Sequence, residues 1–290
     1  MIVVKIQGGI GNQLFQFALA LSLKKRYPKK KVTLDTSFYN YQEISITYRQ
    51  LYLDAFAINE FKIDSNNGIR KSNIFFKIKT RLISFRKRNT IIEKTKCYDP
   101  CVLQVKNPSY IIGYFQSYKY FETIDNDLRK QLILKRKLSI ESEFYKNLIL
   151  SKPISISIHI RRSDYLTKYK TIYHQLSIDY YKSAITLMKD KLAKLPIYVF
   201  VFSDDLNWCK ENLVLHDEII FIENSNKPDY EDLFLMSYCS HNIIANSTYS
   251  WWGAWLNGNS NKIIVAPSQW YKQQELNFSN SIYPSTWNVL

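Results

Sequence analysis

The sequence predicts an α/β fold built on parallel sheets, and three observations predict it. From residue 153 onward, segments of strand and helix character alternate through about 110 residues, the signature of a parallel sheet covered by helices. The run Ile197-Tyr198-Val199-Phe200-Val201-Phe202 is apolar almost throughout, as in a strand buried on both faces. The chain opens on a short apolar strand that runs into a glycine-rich loop and then a buried helix, the beginning of a βα unit.

Taken in order, residues 2–6 read as the first strand and 7–13 as the glycine loop. Residues 14–23 read as a helix, because Leu14, Phe17, Ala18 and Leu21 recur at helical spacing. A second strand follows at 32–34. Residues 36–109 are aromatic, basic and weakly patterned, and no order of elements emerges from them. Residues 110–114 read as a strand and 125–134 as a helix. Beyond these come strands at 154–160, 197–202, 219–222, 242–245 and 263–265. The helices between them are expected at 178–195, 206–213, 230–239 and 248–256. The change in charge composition places a domain boundary between residues 136 and 152, giving an N-terminal domain of 1–138 and a C-terminal domain of 139–290.

Composition narrows the class. A chain of 290 residues with 46% hydrophobic and 15% aromatic content can bury a sizeable core, and 7 Gly with 8 Pro exclude collagen-like or linker-rich designs. The four cysteines, Cys97, Cys101, Cys209 and Cys239, are too few for a disulfide scaffold. The spacing of Cys97 and Cys101 suits a bridge or half a zinc site, but no His or Cys nearby completes the latter. The N-terminus lacks the pattern of a signal peptide, and no stretch of 18 apolar residues exists. A cytoplasmic protein with reduced thiols is expected.

The net charge of +15 is unevenly spread: residues 1–150 hold 27 Lys and Arg against 12 Asp and Glu, and residues 151–290 hold 13 against 13. A basic half of this kind suits an anionic membrane surface or a phosphorylated lipid, or it is a solvated face with no partner. Nucleic acid is disfavoured, because no recognition-helix, OB or RRM pattern accompanies the charge.

In an open parallel sheet, ligands bind beyond the carboxyl ends of the strands. The polar clusters of this sequence fall there: His159-Ile160-Arg161-Arg162-Ser163-Asp164-Tyr165, Ser203-Asp204-Asp205, and Asn246-Ser247-Thr248-Tyr249-Ser250. Arginine is permanently charged, and its planar fork matches phosphate oxygens. Cations at a breaking phosphate ester stabilise the transition state more than the ground state. The alternative for Arg161 and Arg162 is a salt bridge to Asp164 and neighbouring loops. Ser247, Thr248 and Ser250 open a helix whose free N–H groups favour an anion, and Ser247 or Asn246 also suits plain N-capping. Trp251, Trp252 and Trp255 suit packing of that helix. Asp204 and Asp205 suit capping of the following helix or a base or ribose contact, and are a weak metal signal. Gly9 and Gly11 allow close backbone approach to a ligand, with Asn12 and Gln13 beside them. His241 faces the expected site and could touch a base, His174 lies near the reaction centre, and His216 sits in a polar loop. The histidine spacings indicate no metal site.

Three segments together resemble the bacterial α-1,2-fucosyltransferases of glycosyltransferase family eleven. They are Gly8-Gly9-Ile10-Gly11-Asn12-Gln13-Leu14-Phe15-Gln16, the His159 to Tyr165 segment, and Asp232-Leu233 through Asn246-Ser247-Thr248-Tyr249-Ser250-Trp251-Trp252-Gly253. Ser163 stands where family members often carry Gly, and residues 36–109 match poorly. The resemblance implies a GT-B architecture: two Rossmann-like domains facing across a cleft, the N-terminal one on the acceptor side and the C-terminal one binding the donor. It implies inverting transfer of L-fucose from GDP-β-L-fucose to the 2-hydroxyl of a terminal galactose, in a glycan that is free or lipid-linked, with no cofactor and no metal. Arg161 would neutralise the leaving β-phosphate and Arg162 would support it. His159 would approach guanine or ribose, and Ser247, Thr248 and Ser250 would hold the diphosphate. Asn12 and its loop would line the cleft. Asp164 and His174 are the candidates for the base, Asp164 alternatively locking the arginine pair. Work on O-antigen or another surface polysaccharide at the inner membrane face fits such an enzyme. Competing readings are another GT-B transferase using a UDP- or ADP-sugar, a fucosyltransferase of different linkage, and a basic non-catalytic binding protein.

Overall fold

The computed structural model describes residues 1–40, 47–63, 89–106, 108–193, 195–215, 217–223, 227–273, 276 and 279–290. Residues 64–88 of the basic first half and His216 lie outside the described residues. The chain divides into two compact units, Met1–Arg136 and Lys137–Leu290.

The first unit holds strands β1 (Ile2–Lys5), β2 (Val32–Asp35), β3 (Thr90–Ile92) and β4 (Ser109–Ile112), with helices α1 (Ile10–Arg26) and α2 (Asp125–Gln131). The strands form one parallel sheet in the order β2-β1-β4-β3. The chain leaves β1 for β2 on one side and returns with β4 on the other. The topological switch point therefore lies between β1 and β4.

Helix α1 starts at Ile10 rather than at the expected residue 14, so Gly11, Asn12 and Gln13 form its first turn. Gly9 takes the N-cap position with extended backbone (φ −73°, ψ 172°). Gly8 makes the reversal before it at φ +83°, where an added Cβ would lie 2.8 Å from the Asn12 amide nitrogen. Only glycine fits that backbone and that space. The helix is buried almost all round between Ile10 and Leu23, which is why its apolar spacing was visible. Strand β4 stops at Ile112, two residues short of expectation. A side chain at Gly113 would run into Glu93, and Phe115 takes a left-handed backbone at φ 52°.

The second unit begins with helix α3 (Ile140–Ser151) and then alternates. Its strands are β5 (Ser155–Ile160), β6 (Tyr198–Ser203), β7 (Glu218–Phe221), β8 (His241–Ile243), β9 (Ile264–Ala266) and β10 (Asn288–Val289). Its further helices are α4 (Ser163–Leu166), α5 (Ile178–Lys191), α6 (Leu206–Asn212), α7 (Asp229–Tyr238), α8 (Thr248–Leu256) and α9 (Ser279–Ile282). All six strands are parallel, in the order β10-β9-β8-β5-β6-β7. The chain runs outward from β5 through β6 to β7, then returns to β8 on the other side of β5. This second switch point, between β5 and β8, is where a doubly wound sheet offers a crevice for ligand.

Strand β5 is central and every one of its six residues is buried. Ile156, Ile158 and Ile160 pack with Tyr181, Ile185 and Met188 of α5 and with Val199 and Val201 of β6. Burying one such side chain stabilises by about 1.5–3 kcal/mol. On α8, Trp251 and Trp252 are fully buried, and the Trp251 indole N–H donates to the Ile282 carbonyl at 3.0 Å. These tryptophans pack the helix, as their spacing suggested.

Candidate active site

The polar side chains of the second unit gather beyond the carboxyl ends of β5 and β6. Arg161 and Arg162 follow directly from β5, and Asp204 and Asp205 from β6; the two strands pair in parallel with Ile160 opposite Ser203. That register brings both pairs level. Arg161 is gripped on one edge by Asp164 of α4, through Nε to Oδ1 at 3.0 Å and Nη2 to Oδ2 at 2.8 Å. On the other side its Nη1 pairs with Asp204 Oδ2 at 3.2 Å. Burial disfavours the Arg161 charge, but Asp204 and Asp164 outweigh it and raise its pKa above the usual guanidinium range. Three of its five N–H donors face these carboxylates.

Arg162 is held differently. Its backbone N–H donates to Asp204 Oδ1 at 2.9 Å, its Nε to Asp205 Oδ2 at 3.2 Å, and its guanidinium lies 3.6 Å from the Trp208 ring centroid. Asp205 also caps α6, accepting from Trp208 N at 3.2 Å. The acidic pair is therefore a scaffold for the arginines and a helix cap. No group of three or more His, Cys, Asp and Glu that could hold a metal occurs among the described residues.

His159, two residues before Arg161 near the end of β5, is 4% exposed and its Nδ1 has no hydrogen-bond partner. Burial and the neighbouring Arg161 charge push its pKa down to about 3, so the ring is neutral. It leans on Tyr249 of α8, with ring centroids 5.5 Å apart. An unpartnered buried imidazole beside a guanidinium suits a ligand that donates or accepts one hydrogen bond. Asp232, which belongs to the third resemblance segment, pairs with Lys227 at 2.7 Å. Burial raises its pKa to about 6 despite Lys227.

Helix α8 begins where expected. Ser247 is its N-cap, its Oγ accepting from Tyr249 N at 3.3 Å, and no acidic residue occupies its first turn. Ser250 is fully buried and its hydroxyl is directed at the Ala245 and Ser247 carbonyls, at 3.5 and 3.3 Å. The Ser250 hydroxyl is thus turned back on the carbonyls that precede the helix. Thr248, half-buried in the first turn, stays at the helix entrance.

Two other expectations change. His241 lies at the wrong end of the sheet. It pairs with Ile156 at the start of β5, five residues before Arg161, and its Nδ1 accepts from Ile263 N at 3.0 Å. Its single ring acceptor ties β8 to the entry of β9. Asn246 is 1% exposed and its amide donates to the His174 and Trp270 carbonyls at 2.7 and 2.8 Å. Its side chain is spent on chain segments rather than on ligand. His174 itself is half-buried, its ring held neutral by burial and by Lys272.

In the first unit, buried amides hold the switch-point edge, and just beyond β4 the Glu93 carboxylate accepts from Tyr114 N and Phe115 N at 2.9 and 2.8 Å. Gln13 is completely buried; its amide donates to the Gly8 and Gln50 carbonyls at 3.2 and 2.7 Å and accepts from Tyr52 N at 2.9 Å. Gln13 therefore staples the glycine loop to a distant segment and does not line a cleft. Gly11 is buried in the same turn. Asn12 Oδ1 accepts from Gln116 at 2.9 Å, and Gly9 remains at the helix entrance beneath the Arg49 side chain. Gln16 escaped the sequence reading although it belongs to the glycine segment. It bonds Gln7 N at 2.8 Å and the Gly113 carbonyl at 2.9 Å. Two amides at i and i+3 on a buried helix face were the available signal. The four cysteines are free thiols.

Comparison with known proteins agrees with this geometry. The family model described as Glycosyl transferase family 11 matches residues 1–290. The O-antigen biosynthesis glycosyltransferase WbnK of Escherichia coli is 32% identical over 92% of this chain and 93% of its own length. The Alpha-1,2-colitosyltransferase of the same species is 28% identical over 96% and 94%. Among solved structures, the NodZ alpha-1,6-fucosyltransferase soaked with GDP-fucose aligns with a TM-score of 0.51 at 13% identity, over 88% of this chain and 91% of that one. An Arabidopsis thaliana FUT1 variant in complex with GDP aligns with a TM-score of 0.51 at 14% identity, over 98% and 75%. At such identities the structural likeness speaks to fold alone, and the fold is the two-unit Rossmann-like GT-B class. With a family model matched from end to end and a relative at 32% identity over nine-tenths of both chains, this chain belongs to glycosyltransferase family 11 and is a glycosyltransferase.

Proposed function

We propose that the chain transfers L-fucose from GDP-β-L-fucose to the 2-hydroxyl of a terminal galactose, inverting the anomeric centre and using no metal. The observation that carries this reading is Arg161, fixed by Asp164 and Asp204 at the carboxyl end of the central strand, beside the switch point. The acceptor hydroxyl attacks the anomeric carbon as the bond to the diphosphate breaks, and negative charge grows on the β-phosphate. Arg161 and Arg162, with the entrance of α8 at Ser247 and Thr248, supply fixed positive potential there. Cations of this kind serve the purpose a divalent ion serves in other transferases. His159 and the C-terminal unit take the nucleotide; Asn12 and Gly9 of the first unit belong to the acceptor side. Because Asp164 is held in a two-point bond by Arg161, it acts as a lock. His174, neutral and partly exposed, is the base. The acceptor belongs to a bacterial surface glycan such as O-antigen, and the excess positive charge of residues 1–150 holds the enzyme to the anionic inner membrane face. No helix among the described residues is long and apolar enough to cross a membrane.

Calorimetry with GDP, UDP, ADP and CMP in EDTA tests the donor class: selective binding of GDP is expected, and equal response to all four would overturn it. Turnover of GDP-fucose on a β-galactoside, unchanged by EDTA, is the matching activity; loss restored by Mn²⁺ would refute metal independence. The relative named as a colitosyltransferase supports a second reading with colitose as the transferred sugar, so GDP-colitose belongs in the same assay.

A further inference from the structure

The chain between α4 and α5 forms a strap that ends in one bridge of antiparallel ladder. Tyr173 bridges Tyr271 beyond β9, with His174 N donating to the Trp270 carbonyl at 3.2 Å and Lys272 N to the Ile172 carbonyl at 3.0 Å. The rings of Tyr165, Tyr173 and Tyr271 stack in series, with centroids 4.4 and 5.5 Å apart. At the other end the strap grows from α4, where Tyr169 N donates to the Asp164 carbonyl at 2.9 Å. Asp164 is the carboxylate that grips Arg161.

Asn246 sits where these pieces meet. Its two amide N–H groups bond the carbonyls of His174, on the strap, and Trp270, on the facing segment. Its own backbone carbonyl accepts from the Tyr165 hydroxyl at 2.9 Å. One buried residue therefore joins α4, the strap, the 270–272 segment and the residue that precedes the N-cap of α8. A side-chain amide can donate twice and a carboxylate not at all, so the position needs Asn rather than Asp.

We propose that Asn246 is a positioning residue: it clamps the 167–174 strap against the entrance of α8 and, through Tyr165 and Asp164, fixes Arg161 for the departing phosphate. The clamp is a statement about the chain's own bonds; its catalytic consequence rests on the reading of this edge as the donor site. Loosening the strap leaves the cations present but misplaced, which lowers the rate more than it weakens nucleotide binding.

Two variants test it. Asn246→Ala removes the amide, and Tyr165→Phe removes only the hydroxyl that reaches the Asn246 carbonyl, keeping the ring stack. Lys168 and Lys170 are exposed on the strap and report its order through trypsin cleavage. In both variants cleavage at these lysines is expected to rise at least fivefold under native conditions. kcat with GDP-fucose is expected to fall about tenfold or more for Asn246→Ala, with Kd for GDP changed less than threefold. Should Asn246→Ala fail to fold, Tyr165→Phe alone carries the test. Unchanged cleavage in Tyr165→Phe and in any folded Asn246→Ala protein would overturn the clamp. Loss of GDP binding in Asn246→Ala with the strap still protected would also overturn it, making Asn246 a direct ligand. If the wild type neither binds GDP nor turns over GDP-fucose while cleavage still rises in the variants, the donor reading fails and the clamp stands.

Discussion

The two units solve the same topological problem with different chemistry at the switch point. At the edge between β1 and β4, amides predominate: Gln13, Gln16, Asn12 and Gln116 bond to backbone and to one another, and the Glu93 carboxylate is spent on the Tyr114 and Phe115 N–H groups. At the edge between β5 and β8, guanidinium and carboxylate groups interlock: Arg161, Arg162, Asp164, Asp204 and Asp205. Amides carry no net charge, so they hold the backbone of the first edge without setting up a field of their own. The second edge sets fixed charges in a partly desolvated place, where they act on charge that develops during a reaction. Under the proposed function, rate belongs to the second unit and architecture to the first.

The largest test of that division is Arg161→Ala. Transfer should fall about 10³-fold or more, while circular dichroism and a cooperative melt report an intact fold. Asp164 and Asp204 lose a partner, so some destabilisation is expected, but near-normal turnover would remove the charged edge from the mechanism. The counterpart in the first unit is Gln13→Ala. It strips the Gln50 carbonyl and the Tyr52 N–H of their partner, at about 1–3 kcal/mol for each that finds no water, while the Gly8 carbonyl keeps the Tyr39 hydroxyl. A loss of about 2–4 kcal/mol in stability is expected, with GDP affinity of the folded protein unchanged. A variant that keeps its stability and loses GDP binding would place nucleotide chemistry in the wrong unit. A smaller effect belongs to Trp208→Leu. Its ring supports Arg162 at 3.6 Å, a contact worth about 0.5–2 kcal/mol, so GDP binding should weaken several-fold without loss of fold.

The same contrast explains what could be read from sequence. The second unit was legible because its inner strands β5, β6, β8 and β9 are buried, their apolar runs stand out, and each polar cluster follows a strand. Register was not legible, and it decides His241: a histidine two residues from the end of β8 looks close to the site until its pairing with Ile156 places it at the other end. Asn246 and Ser250 carried the right residue types for ligand, but their bonds are long-range or intrahelical and leave no trace in spacing. Helix α3 escaped because Ile140, Phe144 and Leu150 are exposed and blur its apolar stripe. Ser139 with Glu141 and Glu143 behind it was the start signal available. In the first unit, β3 was hidden by a short run with mixed burial.

The smallest effect concerns pH, and it separates His159 from the charged network around it. An exposed histidine titrates near 6.5; His159 is held at about 3 by burial and by Arg161. Above pH 6.5 the ring is neutral folded and unfolded, and stability does not depend on it. As pH falls below 6.5 the unfolded chain takes up a proton that the folded one refuses, so stability declines until about pH 3. Asp232, raised to about 6, acts in the opposite sense, since the folded carboxyl binds its proton first and gains stability as pH falls from 6 toward 4. The two partly cancel in the wild type, which is why the comparison must be made against a variant. His159→Gln keeps a polar side chain but removes the titration, so between pH 7.5 and pH 5.5 it should lose less stability than the wild type by about 1 kcal/mol. Thermal melts across that range measure the gap. Parallel curves would mean that His159 keeps an ordinary pKa and is solvated, and the neutral, unpartnered imidazole beside Arg161 would no longer be part of the donor site.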